Sequence, residues 1–297
     1  MLEKQSLKSS DEIQEKSNKS TISIGIIGCG RLGNQIAQSL LTYGQIEASH
    51  LQISTRRPET LGHLQQKGVS CFFNNKKLVS SVDLVFFCVL PSQMPCVAYE
   101  VKDSISPTLL TVCPFSSLSP RKLRQMLGTS NIIRPQLVFP EQNPNPNYNL
   151  EVEVAQAFKN KQTVMGTCPL SVPQEGLTVH SDARLVGTII LAVSNMCKHN
   201  GLTTSQTVAI ISRAVFGESK KKPLAFDRLT VKDFGVAKTT NGSDKYFPLY
   251  DLADSHETET TLFKTLQGNK SMQEGFATRY WHVFDDYICK QTFGYLT

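Results

Sequence analysis

Three glycines near the amino terminus constrain the fold of this chain more than any other feature. The segment Gly28-Cys-Gly-Arg-Leu-Gly33 directly follows the apolar stretch 22–27, and a helical pattern of apolar residues begins behind it. A strand that turns through such a loop into a helix is the context in which this motif holds a pyrophosphate. Helix amides then face the phosphates. We predict that the whole loop binds a dinucleotide through Gly28, Cys29, Gly30, Arg31, Leu32 and Gly33.

Strand-like and helix-like patterns alternate over the residues that follow. Apolar strand patterns lie at 22–27, 51–55, 69–73, 82–89, 109–113 and 132–133. The fourth of these is almost continuously apolar, which is typical of a central parallel strand with helices on both faces. Ser119 and Pro120 form a typical helix start. The alternation predicts an α/β fold over 21–140, a Rossmann-type doubly wound parallel sheet.

The rest of the chain follows other patterns. Residues 1–20 are polar and charged, and we expect a disordered leader there. The Pro- and Asn-rich stretch 141–150 is predicted to be a linker. Residues 151–297 are expected to form a smaller, mainly helical C-terminal region, although 223–260 has no clear pattern. Helical patterns in this region lie at 184–200, 205–216 and 272–290.

The end of the second predicted strand distinguishes between the two pyridine dinucleotides. A site for NAD usually has Asp or Glu there to bind the ribose 2′-hydroxyl, whereas this chain has Ser54-Thr55-Arg56-Arg57. A guanidinium can hold the 2′-phosphate of NADP with two hydrogen bonds, and the hydroxyls of Ser54 and Thr55 can add to them. The alternative is that Arg56 and Arg57 form only a charged turn. The sequence therefore favours NADP over NAD.

Charge and composition agree with an anionic ligand in the first half. The net charge is +6, and residues 22–140 carry eleven Lys and Arg against five Asp and Glu. The basic residues are scattered and show no nucleic-acid-binding module, so no nucleic acid is expected as a partner. The eight Cys have no zinc-binding spacing, so no metal site is predicted.

We find no secretory signal and no run of about 18 apolar residues, and we expect a cytoplasmic protein without membrane contact.

Three segments of this half resemble the pyrroline-5-carboxylate reductase family. They are the glycine loop 25–33, the strand end at Arg56, and residues 85–91. That family has a Val-Lys-Pro step after its fourth strand, where this chain has Val89-Leu90-Pro91. The resemblance implies that Val89, Leu90 and Pro91 contact the cofactor. It also implies a homodimer, because similar C-terminal helices pack into the dimer interface of the family.

The substrate motifs of that family are not recognisable here. Its Met-Pro-Asn-Thr-Pro turn is replaced by the segment 134–140, and its Ser-Gly-Ser-Gly-Pro-Ala turn by the segment 180–184. Leu90 stands where the family usually has Lys. The Pro-Gly-Gly-Thr-Thr substrate loop is also missing. The resemblance therefore implies NADP binding and a capacity for hydride transfer, and it does not imply proline synthesis.

No residue is identified as catalytic. The sequence contains no Tyr-x-x-x-Lys, His-Glu-x-x-His or Gly-x-Ser-x-Gly motif. Polar residues that follow predicted strands could contact a substrate, or could simply form turns: Ser116, Ser117, Arg134 and Gln136. His180, near the expected contact with the second domain, could be catalytic, and the alternative is a solvated surface histidine. We expect an NADP-dependent oxidoreductase with an unidentified small substrate. The alternative is a catalytically inactive NADP-binding scaffold or sensor.

Overall fold

The N-terminal half contains a six-stranded parallel sheet. The computed structural model describes residues 22–44, 46–115, 117–138, 159–170, 180–216, 229–236 and 246–293, without the side chains of 137, 138, 180, 181 and 286–293. The strands are β1 Ile24–Ile27, β2 Leu51–Ser54, β3 Ser70–Phe72, β4 Leu84–Phe87, β5 Leu110–Val112 and β6 Ile132–Ile133. They pair in the order β3-β2-β1-β4-β5-β6, each pair parallel. This is the strand order of a Rossmann fold, so the predicted doubly wound sheet is confirmed.

Helices connect these strands. They are α1 Arg31–Thr42, α2 Gly62–Gln65, α3 Asn75–Val79, α4 Met94–Val101 and α5 Pro120–Leu127, with 3₁₀ turns at Ala48–His50, Pro58–Leu61 and Lys102–Ser104. Helix α5 begins where the sequence predicts it, because the Ser119 hydroxyl oxygen accepts a hydrogen bond from the Lys122 amide at 3.2 Å. It ends at Gly128, whose φ of 69° is a left-handed conformation that glycine adopts without strain.

The C-terminal region is mainly helical, as predicted. Its elements are β7 Leu137–Val138, α6 Lys161–Thr167, β8 His180–Ser181, α7 Arg184–His199, α8 Thr204–Phe216, a 3₁₀ turn Val231–Phe234, α9 Leu252–Ser255, α10 Thr261–Gly268 and α11 Lys270–Phe293. The predicted helices 184–200 and 205–216 correspond to α7 and α8, and the predicted helix 272–290 lies within α11. None of the helices in the described ranges is long and apolar enough to cross a membrane. The predicted leader and linker lie outside the described residues.

Both faces of the sheet are covered, but by different parts of the chain. Successive residues of β4 face opposite sides, so that Val85 packs with α3, α4 and α5, whereas Phe86 faces the other side. On that second face α1 covers β1 and β2. The C-terminal helices cover β5 and β6 there, and Leu110 and Val112 share one core with Ile190 of α7. The cofactor half and the helical half therefore share a hydrophobic core.

Two polar side chains join the helical region to the sheet. Asn195 of α7 accepts a hydrogen bond from the Tyr250 amide at 2.8 Å and donates to the Tyr250 carbonyl at 2.9 Å. It also donates to Asn131, just before β6, at 3.2 Å. His256, after α9, accepts a hydrogen bond at Nε2 from the Arg134 amide at 3.1 Å. Burial, together with the nearby charge of Arg134, lowers the pKa of His256 to about 4, so this imidazole is neutral at pH 7.

Candidate functional site

A cavity of about 840 Å³ lies at the carboxyl end of the sheet, where doubly wound proteins bind ligands. It is lined by all but one of the residues that the sequence predicts for the cofactor: Gly28, Cys29, Gly30, Arg31, Leu32, Ser54, Thr55, Arg56, Arg57, Val89, Leu90 and Pro91. The exception is Gly33, which is buried in the first turn of α1, where an added Cβ would collide with the Gly28 carbonyl oxygen. Gly33 therefore allows the helix to pack, as the motif requires, and does not itself face the cavity.

The loop after β1 has the geometry of a phosphate site. Gly28 adopts a φ of 87°, and a Cβ there would lie 2.8 Å from the Cys88 carbonyl oxygen. Gly30 differs, since a Cβ there would meet no atom within 4 Å. The Asn34 amide donates the first helical hydrogen bond of α1, to the Gly30 carbonyl oxygen at 3.0 Å. The amides before it in the first turn have no partner within the helix, and they point towards the cavity side of the loop, where a ligand can accept from them. The first turn of α1 contains no acidic residue, which leaves the helix dipole free to attract an anion.

Three exposed arginines surround this loop. Arg31 follows it directly, and Arg56 and Arg57 follow β2, and all three line the cavity. In the part of the chain that the structure describes, none of the three has an acidic partner. The three guanidinium groups and the amides of the first turn of α1 together provide a positive potential, which a pyrophosphate and a further phosphate need. The residues present therefore fit NADP(H).

Ser54 has a different role from the one that the sequence predicts. Its side chain is fully buried and its Oγ accepts a hydrogen bond from the Asn74 amide at 3.2 Å. The hydroxyl donates its proton to Asn75 Oδ1 at 2.7 Å, and Asn75 Nδ2 donates in turn to Glu100 Oε2 at 2.8 Å. Because the Ser54 hydroxyl donates its proton to Asn75, it holds the Asn75 side chain in the cavity wall and does not donate to a phosphate.

Sequence reasoning missed several residues of the cavity wall, among them Phe73, Asn75 and Glu100. Phe73 follows β3 and is 64% exposed, which is unusual for a phenylalanine. Two consecutive asparagines follow the third strand, at the same sheet edge as the arginines. This position could have indicated Asn75 as a residue of the site. Glu100 gave no signal, because a glutamate in a short amphipathic helix usually faces solvent.

The cavity also contains thiols that are poor nucleophiles. Burial, followed by the neighbouring Cys71, raises the pKa of Cys29 to about 11. Burial, followed by Cys29, raises the pKa of Cys88 to about 12. Both thiols keep their protons at neutral pH, and a thiolate is the reactive form of cysteine. They are free cysteines, as the sequence indicates.

The polar candidates for substrate contact that the structure describes with their side chains do not line this cavity. These are Ser117, Arg134 and Gln136, whereas Phe115, after β5, does line it. Arg134 instead donates from Nη2 to Gln136 Oε1 at 2.9 Å. Ser116 and the side chain of His180 lie outside the described residues. Among the residues that are described, no cluster of three potential metal ligands occurs.

The strand order, the glycine loop and the cationic cavity together define a Rossmann-type protein built to bind a nicotinamide dinucleotide. A family model described as "NADP oxidoreductase coenzyme F420-dependent" matches residues 23–112. That range runs from β1 to β5 and contains the glycine loop and the strand end at Arg56. The match supports assignment of the N-terminal half to an NADP oxidoreductase domain.

Comparison with individual proteins extends the similarity beyond this half. The chain is 27% identical to NADP-dependent oxidoreductase domain-containing protein 1 of Mus musculus, over 93% of this chain and 76% of the mouse protein. It is 29% identical to pyrroline-5-carboxylate reductase 3 of Bos taurus, over 35% of this chain and 34% of that enzyme. A solved pyrroline-5-carboxylate reductase from Coxiella burnetii matches with a TM-score of 0.38 at 15% identity, over 91% of this chain and 98% of that one. The resemblance to this family is confirmed by the sequence matches.

Proposed function

We propose that this protein binds NADP(H) and transfers hydride between it and an unidentified small substrate. The observation that carries the proposal is the cavity in which the glycine loop, the forward-facing amides of α1 and three arginines meet. The cationic strand end favours NADP over NAD, because an acidic residue there would repel a 2′-phosphate. The similarity to the mouse protein and to the reductases supports an oxidoreductase.

Each part of the cavity wall has a task in this proposal. The amides of α1 bind the pyrophosphate, and Arg56 and Arg57 hold the 2′-phosphate. The loop of Val89, Leu90 and Pro91, with Phe115 opposite, excludes water from the nicotinamide. The bound cofactor supplies or accepts the hydride, and these residues bind and orient it.

The first experiment is a calorimetric titration of the protein with NADPH and with NADH. We expect NADPH to bind at least tenfold more tightly, about 1.4 kcal/mol, and the variant Arg56→Ala/Arg57→Ala to lose this preference. The matched control is Lys67→Ala/Lys122→Ala, which removes two exposed charges of the same half of the chain outside the cavity lining. The control should keep the preference. Failure of both nucleotides to bind at millimolar concentration would refute the proposal.

The second candidate is a catalytically inactive NADP-binding scaffold or sensor. It is favoured by the structure around Arg134, where the family's substrate turn is replaced and the residue bonds to Gln136 and His256. Titration does not separate the two candidates, because both bind the cofactor. A panel of imines and ketones, with NADPH consumption as the readout, does separate them. Turnover of any member establishes the enzyme, and bound NADPH without turnover across the panel favours the scaffold.

Two further expectations accompany this proposal. The resemblance to the reductases favours a homodimer through α7 and α8, and Ile189 and Ile210 on these helices are exposed apolar residues that could form such a contact. A cytoplasmic location is expected from the sequence. Light scattering and cell fractionation, respectively, test these two points.

A further inference from the structure

The chain of hydrogen bonds in the cavity wall has a fixed direction. It begins at a backbone amide, Asn74 N–H, which can only donate and does so to Ser54 Oγ. That bond leaves the hydroxyl oxygen a second lone pair, so the direction of the next bond follows from burial: Ser54 is fully buried, and Asn75 Oδ1 accepts its proton. At the other end the Glu100 carboxylate can only accept, so Asn75 presents Nδ2 to Glu100 Oε2. Glu100 is therefore held by a donor whose orientation is set by a buried hydroxyl, and its carboxylate has a defined position in the cavity wall.

The second oxygen of this carboxylate has no donor among the residues that the structure describes. Among the described residues, Glu100 forms one side-chain hydrogen bond, at Oε2, and no ion pair. Among the described residues of the cavity lining it is the only acidic one, beside three arginines. Glu100 is exposed in the free protein, where water can donate to Oε1. A nucleotide bound against it would displace this water, and a donor on the nucleotide would replace the lost hydrogen bond.

The position of Glu100 in the fold identifies which part of the nucleotide it faces. Its partner Asn75 follows β3, which pairs with β2, the strand that ends at Arg56. The pair thus lies on the 2′-phosphate side of the glycine loop, where the adenosine half would lie, and away from Phe115 after β5. On the same side the exposed ring of Phe73 lines the cavity. A flat apolar ring and a fixed acceptor in the same cavity wall are suited to a heterocyclic base with an exocyclic amino group.

We propose that Glu100, positioned by Asn75 and Ser54, accepts a hydrogen bond from the 6-amino group of adenine and makes the site selective for this base, while Phe73 stacks on the ring. This inference rests on the proposed binding of NADP(H). It assigns Glu100 as a specificity-determining residue of that site. Asn75 and Ser54 are positioning residues.

The test compares NADPH with its hypoxanthine analogue, reduced nicotinamide hypoxanthine dinucleotide phosphate. In the analogue an oxygen acceptor replaces the 6-amino donor, and it would face the Glu100 carboxylate with the wrong polarity. We expect the wild-type protein to bind NADPH at least tenfold more tightly than the analogue in a calorimetric titration. Glu100→Ala should lower the affinity for NADPH and bring the two nucleotides within threefold of each other.

Glu100→Gln provides the sharper result. The buried Ser54 hydroxyl still donates to Asn75 Oδ1 in this variant, so Asn75 Nδ2 still faces position 100. The glutamine then places its Oε1 towards Asn75 and its Nε2 towards the base. An amide nitrogen there donates to the hypoxanthine oxygen and opposes the adenine amino group. We therefore expect Glu100→Gln to prefer the analogue over NADPH, which is a reversal and not only a loss.

Two controls separate base selection from other effects. Asp103→Asn removes an exposed carboxylate just after α4 and outside the cavity lining, and it should keep the wild-type preference. Phe73→Leu should lower the affinity for both nucleotides by a similar factor, since both bases would stack on the Phe73 ring. All variants are checked for an unchanged circular dichroism spectrum and melting temperature before titration.

The outcomes are distinguishable from those of the proposed function. If the wild-type protein binds both nucleotides equally, or if Glu100→Ala weakens both by the same factor, base selection by Glu100 is wrong although cofactor binding stands. If Glu100→Gln keeps the preference for NADPH, the orientation argued from the buried Ser54 hydroxyl is wrong, and with it the inference. If neither nucleotide binds to the wild-type protein, both proposals fail.

Discussion

Two glycines of the loop after β1 differ in what a side chain would meet. At Gly33 an added Cβ would collide with the Gly28 carbonyl oxygen, so the fold itself requires glycine there. At Gly30 an added Cβ would meet no protein atom within 4 Å. The absence of a side chain at Gly30 is therefore not explained by packing, and the approach of a phosphate to the backbone explains it.

This difference gives a prediction at the scale of single residues. We expect Gly30→Ala to change the free energy of unfolding by no more than about 1 kcal/mol but to weaken NADPH binding at least tenfold, because the methyl group occupies the phosphate position. Gly33→Ala should destabilise the protein by about 1–3 kcal/mol. Urea denaturation with a parallel NADPH titration measures both. A Gly30→Ala variant with wild-type affinity would mean that the phosphate does not contact this amide.

At the same scale, the residues that could be predicted from the sequence are those whose role depends only on their neighbours along the chain. The glycine loop and the strand end at Arg56 are continuous segments, and both line the cavity. Glu100 could not be predicted, because its role depends on a hydrogen bond to Asn75, 25 positions away. The role of Ser54 was misjudged for the same reason, since only the fold shows that Asn75 takes its proton.

The contact between α9 and β6 depends on a neutral histidine. His256 accepts a hydrogen bond from the Arg134 amide, and burial and Arg134 hold the pKa of His256 at about 4, below its ordinary value of 6.5. The unfolded chain therefore binds a proton at this residue at a higher pH than the folded protein does. The stability that the neutral imidazole contributes is present above pH 6.5 and is lost as the pH falls towards 4.

We expect His256→Gln to be less sensitive to pH over this interval than the wild-type protein. A glutamine can still accept the Arg134 amide through its oxygen, but it does not titrate. Wild-type stability should fall by up to about 3 kcal/mol more than that of the variant between pH 6.5 and pH 4. Urea denaturation at several pH values measures this, and His199→Gln, at the exposed end of α7, is the control. Parallel pH profiles for wild type and His256→Gln would contradict the assignment.

At the scale of elements, strands and long helices were predictable and the short pieces were not. The apolar runs gave every strand of the parallel sheet, because a buried parallel strand is apolar on both faces. The helices α9 and α10 fall in or next to a region without clear pattern, and α9 has only four residues. Its position is fixed by long-range contacts such as that of His256, which no local pattern encodes.

The whole molecule is held together by a core that both halves share. Leu110, Val112 and Ile133 of the sheet pack in one cluster with apolar residues of α7, α10 and α11. A fragment of residues 1–140, the sequence-predicted leader and cofactor domain, would leave these side chains exposed to water. We expect this fragment to bind a hydrophobic dye and to aggregate, whereas the full chain should not. A monomeric fragment with a cooperative thermal transition would show that the first half folds on its own.

The shared core also has a consequence for the synthesis of this protein on the ribosome. The last strand of the sheet is complete at Ile133, whereas Met272, which covers the same face, is made much later. At a translation rate of about 5–20 residues per second, the delay is on the order of ten seconds. During that time β5 and β6 lack part of the cover on that face, because the residues of α10 and α11 in the shared core have not yet been made. The cofactor site, complete in sequence by Phe115, must wait for α11 before the sheet beneath it is fully covered.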